Sequence, residues 1–201
     1  MLNIPPGLEY LITGSTILDP FTSGGDSQNW LPYTQVKQYT NAFVFKDSKA
    51  RTPSVSCVCI IDVETTSGGK VDHGETSLQA AARELQEECG ITAPLVHTGT
   101  LFFVLEGEEW VLHAEVYRAD TYQGIVTESE EMRPEWFSTR TGDEGKVGEP
   151  PALPFAQMWE SDVVFFPLLL SKQTFVGRAD FIRDGVEFKL HKWWYATVPA
   201  T

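Results

Sequence analysis

Basic residues are scarce in this chain. Lysine and arginine total 15 against 28 aspartates and glutamates, for a formal net charge of −13. Nucleic-acid polymers are held largely through Lys and Arg on phosphates, so the balance excludes a general binder of DNA or RNA. It leaves room for a small phosphorylated molecule held through a cation. Outside one segment, the acidity is read as solubility. Cysteine is scarce too, with only Cys57, Cys59 and Cys89. An odd count with no CxxC pair makes neither a disulfide framework nor a zinc pattern, and suits a reducing compartment. No apolar run approaches the length of a membrane span. The first thirty residues carry no basic n-region and no Arg, so no secretory or mitochondrial signal is visible. These absences point to a cytoplasmic monomer with no membrane or polymer partner, a nuclear or mitochondrial-matrix setting remaining open.

What is present is a core. The composition is 42% hydrophobic, with six Trp and twelve Phe among 201 residues, which suits one globular domain. Residues 1–34 are rich in Pro, Gly, Ser and Thr and read as a loosely ordered arm, leaving 35–201 as the domain. Strands are expected at 34–45, 54–63, 100–105, 110–118, 135–137, 174–182 and 186–191, the last two flanking the hairpin turn Asp184-Gly185. Residues 138–153 read as a long polar loop. A helix is expected over 161–171, with Pro167 bending it or lying near its first turn. Another is expected over 76–89, where Thr76 and Gln79 have the form of a capping box and Gly90 follows as a stop. Leu78, Ala81, Ala82, Leu85 and Cys89 would form its apolar stripe. Strands with two helices make an α+β fold, helices packed on a mixed sheet.

The segment that carries chemistry is GGKVDHGETSLQAAARELQEECGI, residues 68–91. At about 100° per residue, Glu84 and Glu88 lie about 40° apart on one helix face, with Glu87 on the adjoining flank. Like charges at this spacing repel. Three crowded carboxylates call for a counter-charge, and a hard divalent cation with oxygen ligands supplies one, with Mg²⁺ (or Mn²⁺) keeping water and substrate phosphates in its shell. Arg83 stands beside them and can orient a carboxylate through a bidentate contact. Gly68 and Gly69 permit a tight turn that aims a backbone carbonyl at the same place.

Gly69, Glu75, Arg83, Glu84, Glu87, Glu88 and Gly90, with Leu85 and Ile91 in the apolar slots, match the Nudix hydrolase signature G-x5-E-x7-R-E-U-x-E-E-x-G-U. The chain therefore resembles that family, whose fold is an α/β/α sandwich. Beyond the box, Glu128 to Pro134, Trp136-Phe137, Met158-Trp159 and Phe166 to Leu170 resemble the oxidised purine nucleoside triphosphate hydrolases. The resemblance implies metal-dependent cleavage of nucleotides such as 8-oxo-dGTP or 2-hydroxy-dATP to the monophosphate and pyrophosphate. It implies Glu84, Glu87, Glu88, Glu131 and the Gly68 carbonyl as metal ligands. Glu88 or Glu131 would be the base, with Arg83 part of the catalytic set. Phe103 and Trp159 would hold the purine, with Ser161 and Asp162 at its edge. The chain departs from that group in two places. Ser161 stands where the first of two adjacent Asp residues is usual, and Lys49–Ser67 ends in Glu-Thr-Thr-Ser instead of Trp-Asn-Gly-Phe. That stretch is either a diverged substrate loop or a misplaced exon boundary. The alternatives to the leading reading are a Nudix hydrolase of another nucleoside diphosphate-X compound and a homologue that only binds nucleotide.

Overall fold

The structure is a computed structural model, describing residues 4–11, 18–26, 29–48, 55–60, 69–129, 134–139 and 150–199. In chain order the strands and helices are β1 (Asp19–Gly25), β2 (Gln35–Ser48), β3 (Val55–Ile60), β4 (Gly69–Lys70), α1 (Ser77–Cys89), β5 (Ile91–Thr92), β6 (Val96–Leu105), β7 (Trp110–Ala119), β8 (Gln123–Gly124), β9 (Glu135–Ser138), α2 (Asp162–Leu170), β10 (Phe175–Asp184) and β11 (Glu187–Thr197). The expected elements are all present, and β11 runs six residues further than expected. The chain divides into two compact units, the first from residues 1–39, 98–115 and 160–201, the second from 40–97 and 116–159.

In the first unit the strand order is β1-β11-β10-β6. β1 and β10 flank β11 antiparallel, while β10 runs parallel to β6, pairing Phe175 with Gly99 and Phe181 with Leu105. Mixed pairing follows from the connections. The β10–β11 hairpin turns tightly at Gly185 (φ 68°), whereas β6 and β10 are far apart in sequence and can align in parallel. Alternation along β10 gives the sheet two covered faces. One carries Phe102, Val104, Val176, Trp194 and Ala196, packed with Leu8 and Leu18 and with the partly buried Ile4, Trp30, Leu31 and Tyr33. On the other, Phe103 meets Phe181 with ring centroids 6.2 Å apart, and Phe175 stacks on Phe165 of α2 at 5.7 Å.

The described residues of the N-terminal segment add a layer to this unit. They contribute the edge strand β1, and Leu8 and Leu18 are 0% and 3% exposed. Their clasp is a buried ion pair on β10. Arg178 reaches Asp180 through Nε–Oδ1 at 2.7 Å and Nη2–Oδ2 at 3.1 Å. Arg178 also donates to the carbonyls of Pro6 (2.8 Å) and Leu31 (2.6 Å), and Leu31 N–H donates to Asp180 at 2.6 Å. Both side chains are essentially inaccessible. A buried charge is tolerated only when paired and hydrogen-bonded, and here the segment's own backbone completes the set.

In the second unit, β3 lies between β2 and β9, antiparallel to both, with Val44 opposite Cys59 and Val58 opposite Phe137. β4 pairs with β2, and β5 with β8. α1 packs through Leu85 and Cys89 onto Val44 and Ile91. Its start is as the sequence demands: Thr76 Oγ1 accepts from Gln79 N–H at 3.2 Å and Gln79 Oε1 accepts from Thr76 N–H at 2.8 Å. It stops at Gly90 in the left-handed conformation, where the N–H reaches Gln86 O at 3.0 Å. A side-chain N-cap such as that of Thr76 is worth about 1 kcal/mol. The buried stripe differs from the expected one. Leu78 and Ala82 are exposed, while Ala80, Ala81, Leu85 and Cys89 are buried. The rest of the unit covers the side of the helix centred near Ala81, and periodicity alone does not say which side of an Ala-rich helix is covered.

α2 begins one residue after Ser161 and carries Pro167 inside it. Residues 140–149 of the expected loop lie outside the described residues, as do 49–54 and 61–67 of the divergent stretch.

Candidate active site on helix α1

The corrected stripe changes the setting of the carboxylates. At about 100° per residue, Glu84 and Glu88 fall between Ala80 and Leu85, within the buried arc. Both are half-buried, while Glu87 stands on the exposed flank. Two acids on the covered side of a helix are costly unless something binds them.

Arg83 is the local organiser. Its Nη2 and Nε hold Glu75 at 2.7 and 3.3 Å, a bidentate contact. Its Nη1 reaches Glu84 at 2.8 Å and Glu87 at 3.1 Å, and Nη2 also donates to Lys70 O at 3.1 Å. Glu75 accepts a further bond from Asp72 N–H at 2.7 Å. The loop from β4 to α1 is therefore latched to the middle of the helix. The Arg83 bonds, then the Asp72 N–H, hold the Glu75 carboxyl below its ordinary range. The bond to Glu75 first, then that to Glu84, raises the guanidinium further. Lysine has no planar fork for this arrangement.

Gly69 makes the approach possible. A Cβ at this position would collide with Cγ and Cδ of Glu84. Gly69 O accepts from Thr40 Oγ1 at 3.3 Å, so the glycine backbone is fixed and the Glu84 side chain runs across it. Sequence reading marked Gly69 for its turn and gave Glu75 no role. Its signal was the motif position, eight residues before Arg83.

The structure thus brings together Arg83, Glu84 and Glu87, with Glu88 one turn beyond Glu84. Gly68 and Glu131 lie outside the described residues. Among the described residues no group of three acidic, His or Cys side chains makes a metal site. The donor chemistry nonetheless suits a hard divalent cation: carboxylate oxygens, half-buried, with an unobstructed glycine backbone against one of them.

The nominated substrate residues are distributed. Phe103 is half-buried on β6, in the first unit. Asp162 opens α2 in the same unit and is half-buried. Ser161 is 0% exposed. Trp159 is half-buried and belongs to the second unit.

Residues 36–152, more than half of the chain, match the sequence profile of the NUDIX domain. The chain belongs to the NUDIX family. Among its NUDIX relatives, the oxidized purine nucleoside triphosphate hydrolase of Danio rerio is 44% identical over 115 residues, covering 57% of this chain and 67% of that protein. The protein of the same name from Mus musculus is 39% identical over the same shares. The crystal structure of the MutT protein from Bacillus halodurans matches 79% of this chain and 97% of its own at a TM-score of 0.56 and 23% identity. That likeness shows the α+β NUDIX fold. Pro6 and Leu31, which bond to Arg178 and Asp180 of β10, lie before the matched NUDIX segment. No helix among the described residues is long and apolar enough to cross a membrane.

Proposed function

We propose that this NUDIX hydrolase cleaves oxidised purine nucleoside triphosphates, of the kind exemplified by 8-oxo-dGTP and 2-hydroxy-dATP, to the monophosphate and pyrophosphate, clearing damaged precursors from the nucleotide pool. The observation that carries the reading is α1. Its half-buried Glu84 packs against Arg83 and Gly69, with half-buried Glu88 one turn on, in a chain 44% identical over 115 residues to a hydrolase of that name.

Glu84, Glu87, Glu88, Glu131 and the Gly68 carbonyl would hold Mg²⁺, or Mn²⁺. A divalent cation, when bound, neutralises phosphate oxygens and makes an adjacent water easier to ionise. Glu88 or Glu131 takes the proton from the attacking water. Arg83 does not touch the reacting atoms in this scheme. It fixes Glu84 and Glu87 in place through a fork whose other prong is anchored on Glu75. Phe103 and Trp159 supply aromatic faces for the base, and Asp162 reads its edge. The low cysteine content suits a reducing compartment, and we assign the activity to a cytoplasmic monomer.

The divergent stretch Lys49–Ser67 favours a second reading, a protein that binds nucleotide without turnover. Purified protein with Mg²⁺ and a panel of normal and oxidised triphosphates, followed by pyrophosphate release, separates the two. Turnover with preference for oxidised purines is expected. Folded protein that binds the panel but releases no pyrophosphate would leave only the second reading.

A further inference from the structure

The β10–β11 pair changes step in the first unit. Asp180 is opposite Lys192, but Phe181 is opposite Leu190, so His191 is an extra residue, a β-bulge. The bulge decides which side of the sheet the start of β11 faces. Beyond it, Trp194 and Ala196 pack in the cluster with Leu8 and Leu18, and Lys192 Nζ lies 4.8 Å from the Trp30 ring centre. Strict alternation would send Leu190 and Phe188 to that same side. With the bulge, Leu190 stands opposite Phe181 and Phe188 opposite Arg183, and opposed residues share a face. The Arg183 guanidinium carbon accordingly lies 4.8 Å from the Phe188 ring centre. Phe181 in turn meets Phe103, with ring centres 6.2 Å apart. The bulge thus brings Leu190 and Phe188 to the side of the sheet that carries Phe103.

A carboxylate from the start of α2 is fastened to this bulge. Glu160 Oε2 accepts the Leu190 N–H at 2.6 Å. Glu160 is an exposed residue, and a long side chain gives up rotamer freedom to hold one main-chain group. A charged acceptor makes the bond stronger than a neutral one would. Glu160 stands one residue before Ser161, the N-cap of α2, and two before Asp162, its first residue. A serine at the N-cap ordinarily accepts a bond from the first turn. Here Ser161 has helical dihedrals (φ −70°, ψ −21°) and makes no side-chain capping bond. The Glu160 side chain ties that helix start to the strand instead.

Building on the reading that Phe103 and Asp162 meet the nucleotide base, we propose that Glu160 is a positioning residue for base recognition, a carboxylate that clamps the start of α2 to the β11 bulge and so sets where Asp162 stands relative to Phe103. Both ends of the clamp are short. Two residues of chain separate Glu160 from Asp162. On the other side, Leu190 is paired with Phe181 of β10, and β10 runs parallel to β6, which carries Phe103. The Glu160–Leu190 bond therefore links the group that reads the base edge to the strands that hold the ring beneath it. Its role is that of an acceptor, which a neutral amide oxygen at the same reach can also fill. Glu160 acts through Asp162 and touches no substrate atom itself.

Glu160→Ala removes the acceptor, and Glu160→Gln keeps one. Steady-state rates on purine and pyrimidine triphosphates with Mg²⁺, a melting curve and amide hydrogen exchange at Leu190 test the proposal. Glu160→Ala should raise KM for the preferred purine triphosphate about fivefold with kcat within about twofold, and purine-over-pyrimidine preference should fall about fivefold. Exchange at Leu190 should quicken about tenfold. Glu160→Gln should stay within about twofold of the parent in KM and preference. Both variants should melt within about 3 °C of the parent, because the position is exposed. If Glu160→Ala fails to fold, Glu160→Ser is judged by the same readouts. A folded Glu160→Ala with unchanged KM and preference would overturn the clamp while leaving the assignments of Asp162 and Phe103 intact. So would a Glu160→Gln as impaired as Glu160→Ala, since charge and not the bond would then matter. A parent protein with no preference among bases would overturn both the clamp and the assignment of Asp162.

Discussion

Replacing Arg178 with methionine leaves Asp180 buried with one partner. The guanidinium makes two bonds to Asp180 and one each to Pro6 O and Leu31 O. After the change, among the described residues, the Leu31 N–H at 2.6 Å is the hydrogen bond left to the carboxylate. Removing one partner of a buried pair costs about 3–5 kcal/mol. For a chain of this size each kcal/mol lowers Tm by roughly 2–4 °C, so the drop should be about 6–20 °C. Its pH dependence has a definite sign. Burial pushes the Asp180 carboxyl up while Arg178 pulls it down. Without Arg178 the upward push is opposed by the weaker effects of the Leu31 N–H and the charge of Lys192. A carboxyl raised in the folded state favours folding below its unfolded value and loses that contribution as pH rises through the folded one. The deficit of Arg178→Met should therefore shrink between pH 7 and pH 5. Urea denaturation at both values measures it, and limited proteolysis should show cleavage within residues 4–33 before the core. Arg178→Met with Asp180→Leu, which removes both charges, should recover much of the loss. A loss below about 1 kcal/mol, or an N-terminal segment as protease-resistant as the parent's, would refute the claim that this pair clasps the segment to the sheet.

Four further outcomes concern α1. Arg83→Lys keeps the charge but cannot grip Glu75 while holding Glu84 and Glu87, so kcat should fall on the order of a hundredfold in a pyrophosphate-release assay. Gly69→Ala places a methyl group against Glu84 and should reduce activity and metal affinity together, read by titration calorimetry with Mg²⁺ or Mn²⁺. Glu88→Gln should lose both hydrolysis and metal binding, and normal turnover would show the metal assignment to be wrong. Glu75→Gln should change how Tm responds to acid. The Glu75 carboxyl is held low in the folded protein, so its contribution is present above the unfolded value and is lost as pH falls through the folded one. The parent should therefore lose more Tm than the variant between pH 5 and pH 3.

What was legible in the sequence was local. The capping box of Thr76 and Gln79, the stop at Gly90 and the spacing of Glu84, Glu87 and Glu88 are set by residues within a few positions of each other, and the structure holds all three features. The burial of Leu78 and Ala82 was misjudged because it depends on what covers the helix, and that comes from distant strands. The contacts of the N-terminal segment were hidden for the same reason. Its Pro and Gly content reads as loose, while the groups that bond Pro6 and Leu31, Arg178 and Asp180, lie 147 to 172 residues away.

The most direct test of the central claim is pyrophosphate release from 8-oxo-dGTP against dGTP, with and without Mg²⁺, by the parent protein and by Glu88→Gln. The account predicts Mg²⁺-dependent release by the parent, faster from the oxidised nucleotide and abolished by chelation, and none above background from the variant. Equal release by both proteins, or release by the parent that survives removal of divalent metal, would contradict it.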